Sequence, residues 1–185
     1  MDGAHRVIVG ASGSPGSIRA MRYARDLAAT YARDVAATRD VALVVVHAWS
    51  LPGGEYADQR SPSPVLGDVW RNMAWQRIMG SVTAAWGGLP IDVPTSVVIG
   101  RGTPGQVLVA LADRDDDVLV VGAGRRGPLA RIVHGSVARY CLAHATCPVL
   151  AVPPAALERY ARKRLRGVFR HHVVTAAEVA SEQGS

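Results

Sequence analysis

Residues 118–136 set an apolar strand, a Gly- and Arg-rich loop and a Gly135–Ser136 helix start in direct succession. That order of residue types suits phosphate. The first N–H groups of a helix lack intrahelical partners and carry the positive end of its dipole, and glycines let an anion approach without a Cβ in the way. Arg125 and Arg126 add guanidinium forks that match phosphate oxygens. The bland alternative is that the loop is an ordinary tight connection and that Gly135–Ser136 only caps the following helix. A second loop of small residues, Gly10 to Ser17, follows the first apolar segment and would admit a flat base or a ribose.

Catalysis requires a nucleophile or an acid–base pair with an orienting partner, and the sequence shows no such set. His47, His134 and His144 stand singly and read as structural. Gly-x4-Gly-Lys-Ser/Thr does not occur, which removes a P-loop NTPase. Residues 12–17 are faintly similar to the Ser-Gly-Gly-x-Asp-Ser loop of ATP pyrophosphatases but lack its Asp. The carboxylate run Asp113, Asp115, Asp116 and Asp117 has the makings of a metal site, although a solvated turn is the expected reading.

These loops need a scaffold, and the apolar pattern supplies one. Arg6 to Gly10 reads as a short buried strand, and Ser14–Pro15 as an N-cap and first helical residue. Met21, Ala24, Leu27, Ala28 and Tyr31 follow at helical spacing. Val41 to Val46 is continuously apolar, as in a parallel strand covered on both faces. Residues 50–65, rich in Pro, Gly and Ser, read as a loop able to cover a site. Trp70, Met73, Ala74, Ile78, Val82 and Ala85 mark a helix ended by Gly87–Gly88. Val93 to Ile99 is a third strand, and Thr103-Pro-Gly-Gln106 a capping box opening a short helix. Val118 to Val121, a helix from Ser136 and Pro148 to Val152 complete a β-α-β-α-β-α-β-α-β order. Such alternation implies a parallel sheet with helices on both faces and ligands at the carboxyl ends of its strands, where residues 10–17 and 122–136 would meet.

The chain has 185 residues, 49% hydrophobic and 19% charged, which fits one globular domain with an appendage. Its two cysteines, Cys141 and Cys147, are spaced unlike a redox or zinc motif and read as buried free thiols. No apolar run approaches the ~20 residues of a membrane span, and Met-Asp-Gly-Ala-His-Arg lacks a leader pattern, so the expected location is cytoplasmic. The net charge is +6, with Lys163 the single lysine. Six basic and three acidic side chains fall in residues 155–185. There Leu157, Ala161, Leu165 and Val168 share one helical face, suited to docking on the domain, on a partner helix or on an acidic surface, or to a solvated helix. No specific nucleic-acid partner is expected.

Five segments in order carry a resemblance: Arg6-Val-Ile-Val-Gly with Gly13–Ser14, Val46-His-Ala48, Gly102-Thr-Pro, Gly122 with Gly135–Ser136, and His144 to Val152. Over residues 5–153 the chain resembles the universal stress protein (UspA) family, with 154–185 a basic C-terminal extension. The resemblance implies a doubly wound five-stranded sheet in order 3-2-1-4-5. It also implies a stress-associated regulatory protein rather than an enzyme, and a homodimer formed through Val149 to Val152. ATP is the implied ligand, Mg²⁺ accompanying it, with AMP or an empty crevice as alternatives. In the family, nucleotide binders carry Gly-x2-Gly-x9-Gly-Ser/Thr. Base and ribose contacts carry over to Gly10, Ser12 and the Ala48 backbone, and phosphate contacts to Val121, Gly122, Arg125, Gly135, Ser136 and Val137. Two positions depart from the pattern: Ser12 stands where an Asp is common, and Arg125 where the second Gly belongs. A non-Gly residue forced into a left-handed backbone costs ~1–2 kcal/mol. The alternative function is an interaction protein of this family that binds no nucleotide and works through its dimer surface and tail.

Overall fold

Both faces of the central strand are covered, which is why its sequence is apolar without alternation. The computed structural model describes residues 4–35, 40–51, 64–123 and 137–153. In chain order these form β1 (His5–Gly10), α1 (Pro15–Val35), β2 (Val41–Trp49), α2 (Pro64–Trp86), β3 (Thr95–Arg101), α3 (Pro104–Leu111), β4 (Val118–Gly122), α4 (Val137–His144) and β5 (Val149–Val152). All pairings are parallel, in the order β3-β2-β1-β4-β5, as the family resemblance implied.

Strand alternation sends residues to two cores. Val7, Val9, Leu43, Val45 and Val120 pack with Met21, Ala24 and Ala28 of α1 and with Ile78 and Val82 of α2. Ile8, Val46, Leu119 and Val121 pack on the other face with Leu108 of α3 and Ala138 and Cys141 of α4. Each fully buried aliphatic side chain contributes on the order of 1.5–3 kcal/mol. Cys141 and Cys147 are free and buried, as expected. Burial, reinforced by the neighbouring Cys147, pushes the Cys141 thiol up to about 11, which leaves it protonated and unreactive near neutrality.

Local signals set most helix ends. Ser14 caps α1, its Oγ accepting the Ser17 N–H at 3.2 Å, and Pro15 opens the helix. Gly87, at φ +81°, ends α2 with its N–H on the Thr83 carbonyl at 2.8 Å. Other boundaries differ from the pattern. The strand expected from Val93 begins at Thr95, because Pro94 has no N–H to give a ladder; its carbonyl accepts from Leu43 N–H instead. The capping box at Thr103 is absent: Thr103 Oγ1 donates to Gln106 Oε1 at 2.7 Å, and neither side chain caps a backbone N–H. On α2, Ala74 and Ile78 face the sheet while Met73 is 49% exposed. Successive residues turn by about 100° round a helix, so Met73 and Ala74 cannot share that face. Residues 52–63 and 154–185, including the covering loop and the basic helix expected there, lie outside the described residues.

The largest departure is Asp117. Expected in a solvated turn, it is 0% exposed. Arg6 Nε donates to its Oδ1 at 2.8 Å and Arg6 Nη2 to its Oδ2 at 2.5 Å, a two-pronged geometry that suits guanidinium and carboxylate. Arg6 Nη2 also reaches Asp113 Oδ1 and the Leu111 carbonyl. The Arg114 N–H donates to Asp117 Oδ2 at 3.1 Å. The hydrogen bond to Asp117 raises the Arg6 pKa still further, against the opposing effect of burial. The bond from Arg6 in turn holds the Asp113 carboxyl below its ordinary range.

Removing one partner of a buried pair strands the other. Asp117→Ala is expected to lower unfolding free energy by about 3–5 kcal/mol in urea titrations. Asp113→Ala, at an exposed position, should shift the midpoint far less. Equal shifts from the two variants would show that burial of Asp117 adds nothing.

Candidate functional site

The sheet changes winding direction between β1 and β4. β1 leads through α1 to β2 on one side, and β4 leads through α4 to β5 on the other, so their carboxyl ends border a crevice at a topological switch point. Among the implied site residues, Gly10, Ser12, Val121 and Gly122 come together there, and Ala48 lies at the carboxyl end of the adjacent β2. Val137 opens α4 and is half-buried. Arg125, Gly135 and Ser136 lie outside the described residues.

Gly122 is the tightest point of the crevice. A Cβ on it would fall 2.8 Å from the Gly16 carbonyl oxygen and 2.9 Å from the Gly16 carbonyl carbon. The end of β4 therefore presses on the first turn of α1, a contact that only glycine permits. At Gly10 a Cβ would meet Leu108 Cδ1 at 3.1 Å, the tip of a side chain that can yield. Gly16 was not singled out in the sequence. Its part in the contact is backbone alone, since a Cβ on Gly16 itself would meet nothing within 4 Å, so its residue type carried no signal.

The turn between β1 and α1 is tied down at each step. The Ala11 N–H donates to the Val46 carbonyl at 2.7 Å, and the buried His47 meets the Ala11 carbonyl through Nδ1 at 2.6 Å. A carbonyl only accepts, so Nδ1 carries the hydrogen. Gly13 takes φ +78°, the left-handed region open to glycine. Ser12 N–H donates to Ser17 Oγ at 3.2 Å, Ser17 Oγ donates to the Ser14 carbonyl at 3.0 Å, and the Ser12 and Ser14 hydroxyls are 3.0 Å apart. Beside Ala48, the Arg101 guanidinium carbon lies 5.9 Å from the centre of the Trp49 ring.

Residues 10–17, 46–49 and 121–123 at these strand ends contain no carboxylate. Among them His47 is the only titratable side chain, and its Nδ1–H is committed to Ala11. This set can receive an anion through hydroxyls, N–H groups and the positive end of the α1 dipole; it offers no acid–base pair for bond cleavage. Of the histidines read as structural, His47 is buried in the loop hold, while His144 is exposed and stacks on Tyr140 with ring centres 4.1 Å apart.

Comparison with known proteins bears on the same region. A model of the universal stress protein family matches residues 3–153. A universal stress protein of Mycolicibacterium smegmatis is 30% identical over 117 residues, covering 63% of this chain and 78% of the relative. One from Synechocystis is 36% identical over 66 residues, covering 35% of this chain, and the match spans only 61% of that relative's length. The solved universal stress protein UspA of Lactobacillus plantarum superposes with a TM-score of 0.54 at 18% identity, covering 82% of this chain and 99% of that one. At that identity the likeness is one of fold.

The Gly122 contact can be checked directly. Gly122→Ala drives a Cβ into backbone and should cost about 1–3 kcal/mol, read as a lower melting temperature. Gly10→Ala, which asks only a leucine tip to shift, should cost less. The reverse ranking would place the constraint on α3 rather than α1.

Proposed function

The chain belongs to the universal stress protein family, and on that premise we propose that it is a regulatory protein that senses or stores adenine nucleotide without a catalytic cycle of its own. The observation that carries this reading is the switch-point crevice, walled by small residues and free of carboxylates at the described strand ends. ATP is the proposed ligand, with Mg²⁺ accompanying it and AMP as the smaller alternative. Gly10, Ser12 and the Ala48 backbone would take the nucleoside. Val121, Gly122, Arg125, Gly135, Ser136 and Val137 would take the phosphates. Residues 5–153 form the proposed ligand-binding domain and 154–185 a basic extension. The proposed location is the cytoplasm; no described helix is long and apolar enough to cross a membrane.

A second reading rests on Ser12. A hydroxyl replaces the common carboxylate there, and that hydroxyl lies 3.0 Å from the Ser14 hydroxyl. A chain that has given up the ribose contact would serve as an interaction protein instead. Mass spectrometry of ligand released from purified protein separates the two: ATP or AMP supports the first, an empty crevice the second.

The two departures from the family pattern should weaken ATP binding. Wild-type protein is expected to bind ATP about tenfold more weakly than the Ser12→Asp, Arg125→Gly double variant, the equivalent of the strain of one left-handed non-glycine residue. Titration calorimetry reads the difference. Equal or tighter wild-type binding would make Arg125 a phosphate ligand rather than a source of strain.

We further propose that β5 pairs with its twofold copy. β5 is an edge strand, and an open apolar edge is a liability. The Pro148 carbonyl accepts from Leu119 of β4 and the Val152 carbonyl from Ala123 just past it, so by alternation exposed Ala151 directs its N–H outward. Ala151→Pro removes that donor without touching buried Val152, and should shift sedimentation toward monomer. A dimer that survives it would lie on another surface.

A further inference from the structure

Ala11 sits one residue past β1, and both of its peptide groups are held by β2. Its N–H continues the ladder to the Val46 carbonyl at 2.7 Å. Its carbonyl does not take the next rung. In a parallel ladder with Gly10 opposite Val46, that rung would join the Ala11 carbonyl to the Ala48 N–H. The imidazole of His47 stands there instead, with Nδ1 2.6 Å from the Ala11 oxygen. His47 and Ala11 are both buried, so water is a poor substitute, and a buried carbonyl left without a donor is costly.

We infer that His47 is a positioning residue for the nucleotide crevice: by taking the Ala11 carbonyl it ends the β1–β2 ladder and leaves the Ala48 N–H available to a ligand. The inference rests on the nucleotide reading above for the identity of that ligand, but not for the loop geometry. Val46 turns its carbonyl to β1, and Ala48, two residues on, presents its N–H on the same side of β2. The same hold sets the direction in which the chain enters Ser12 and the left-handed Gly13. A hydrogen-bond acceptor on the edge of a base, held in plane beside β2, is the group this N–H would take. The imidazole itself touches the carbonyl and not the ligand.

Asn and Leu have nearly the same shape, and the Asn amide nitrogen lies about where the imidazole Nδ1 lies. His47→Asn keeps a donor at that place, and His47→Leu removes it at equal volume. In His47→Leu the Ala11 carbonyl is expected to capture the Ala48 N–H, so that the Ala48 amide exchanges more slowly with solvent than in wild type, and ATP binds about tenfold more weakly. In His47→Asn both quantities should return to near the wild-type values. A change that merely loosened the core would speed exchange in both variants alike, and that result, or equal behaviour of Asn and Leu, overturns the inference. Nitrogen chemical shifts of the wild-type imidazole give an independent check that needs no variant: hydrogen on Nδ1 supports the hold, and hydrogen on Nε2 alone refutes it. If none of the three proteins binds ATP, the nucleotide reading falls, while slower Ala48 exchange confined to His47→Leu still supports the hold and its absence still refutes it.

Discussion

The Arg6–Asp117 fork governs the alignment of the two strands on which the rest of the molecule depends. β1 and β4 are neighbours, yet no short connection joins them. Their register is Val7 on Val118, Ile8 on Leu119 and Val9 on Val120. A slip by one residue would turn the apolar residues of one strand to the wrong core, which packing forbids. A slip by two would keep every side chain on its face, so apolar pattern alone does not exclude it. Arg6 and Asp117 stand one position before the first pair. In the observed register they meet in a two-pronged bond, whereas a two-residue slip would carry them apart and strand a buried carboxylate. Hydrophobic pattern and ion pair thus exclude different errors.

What is aligned at the amino ends is delivered at the carboxyl ends. Gly122 reaches the backbone of Gly16 only because β4 runs beside β1 in that register. The same strand ends place the Ser12–Ser17 turn, with its linked hydroxyls, next to Val121 and Gly122. Space at the crevice comes from glycines and alanine. Glycine there is a packing requirement at Gly122 and a conformational one at Gly13, so neither position is open to a bulkier, more stabilising residue. The serine network offsets part of that loss by tying the turn to α1.

Features that depend on a few neighbouring residues were legible in the sequence. Continuous apolar runs announced β1 and β2, Ser14–Pro15 announced the start of α1, and Gly87 the end of α2. Strand order came with the resemblance to the family, not from periodicity. Features made by distant partners were not legible. Asp117 looked like part of a hydrophilic turn because its partner lies 111 residues away, and composition cannot show that the two meet. His47 read as structural, and its partner is a backbone carbonyl, which leaves no mark in sequence. Thr103 and Gln106 had the right spacing for a capping box, and their side chains bond each other instead. Of the candidate site, the loops after β1 and β4 were marked in the sequence by clustered glycines and small residues, while Ala48 and Val121 entered through the resemblance to the family.

Charge placement accounts for what such a crevice can receive. At the amino ends of β1 and β4, cation and carboxylates saturate one another. At the far end of α2, Arg22 donates to the carbonyls of Ala84 and Ala85, offsetting the negative end of that helix. At the carboxyl ends the described strand termini carry no carboxylate, while α1 begins on that side with the positive end of its dipole. A cation brought there would meet donors and the positive end of a dipole; an anion would meet partners. On the proposed reading, the sign of the ligand follows from where the carboxylates were spent. Its identity would depend on finer features, the Ser12 hydroxyl and the edge of β2 that His47 is proposed to keep open. The Arg6–Asp117 pair lies at the amino ends of the same two strands whose carboxyl ends border the crevice, so a substitution at Ser12 can be made without touching that pair.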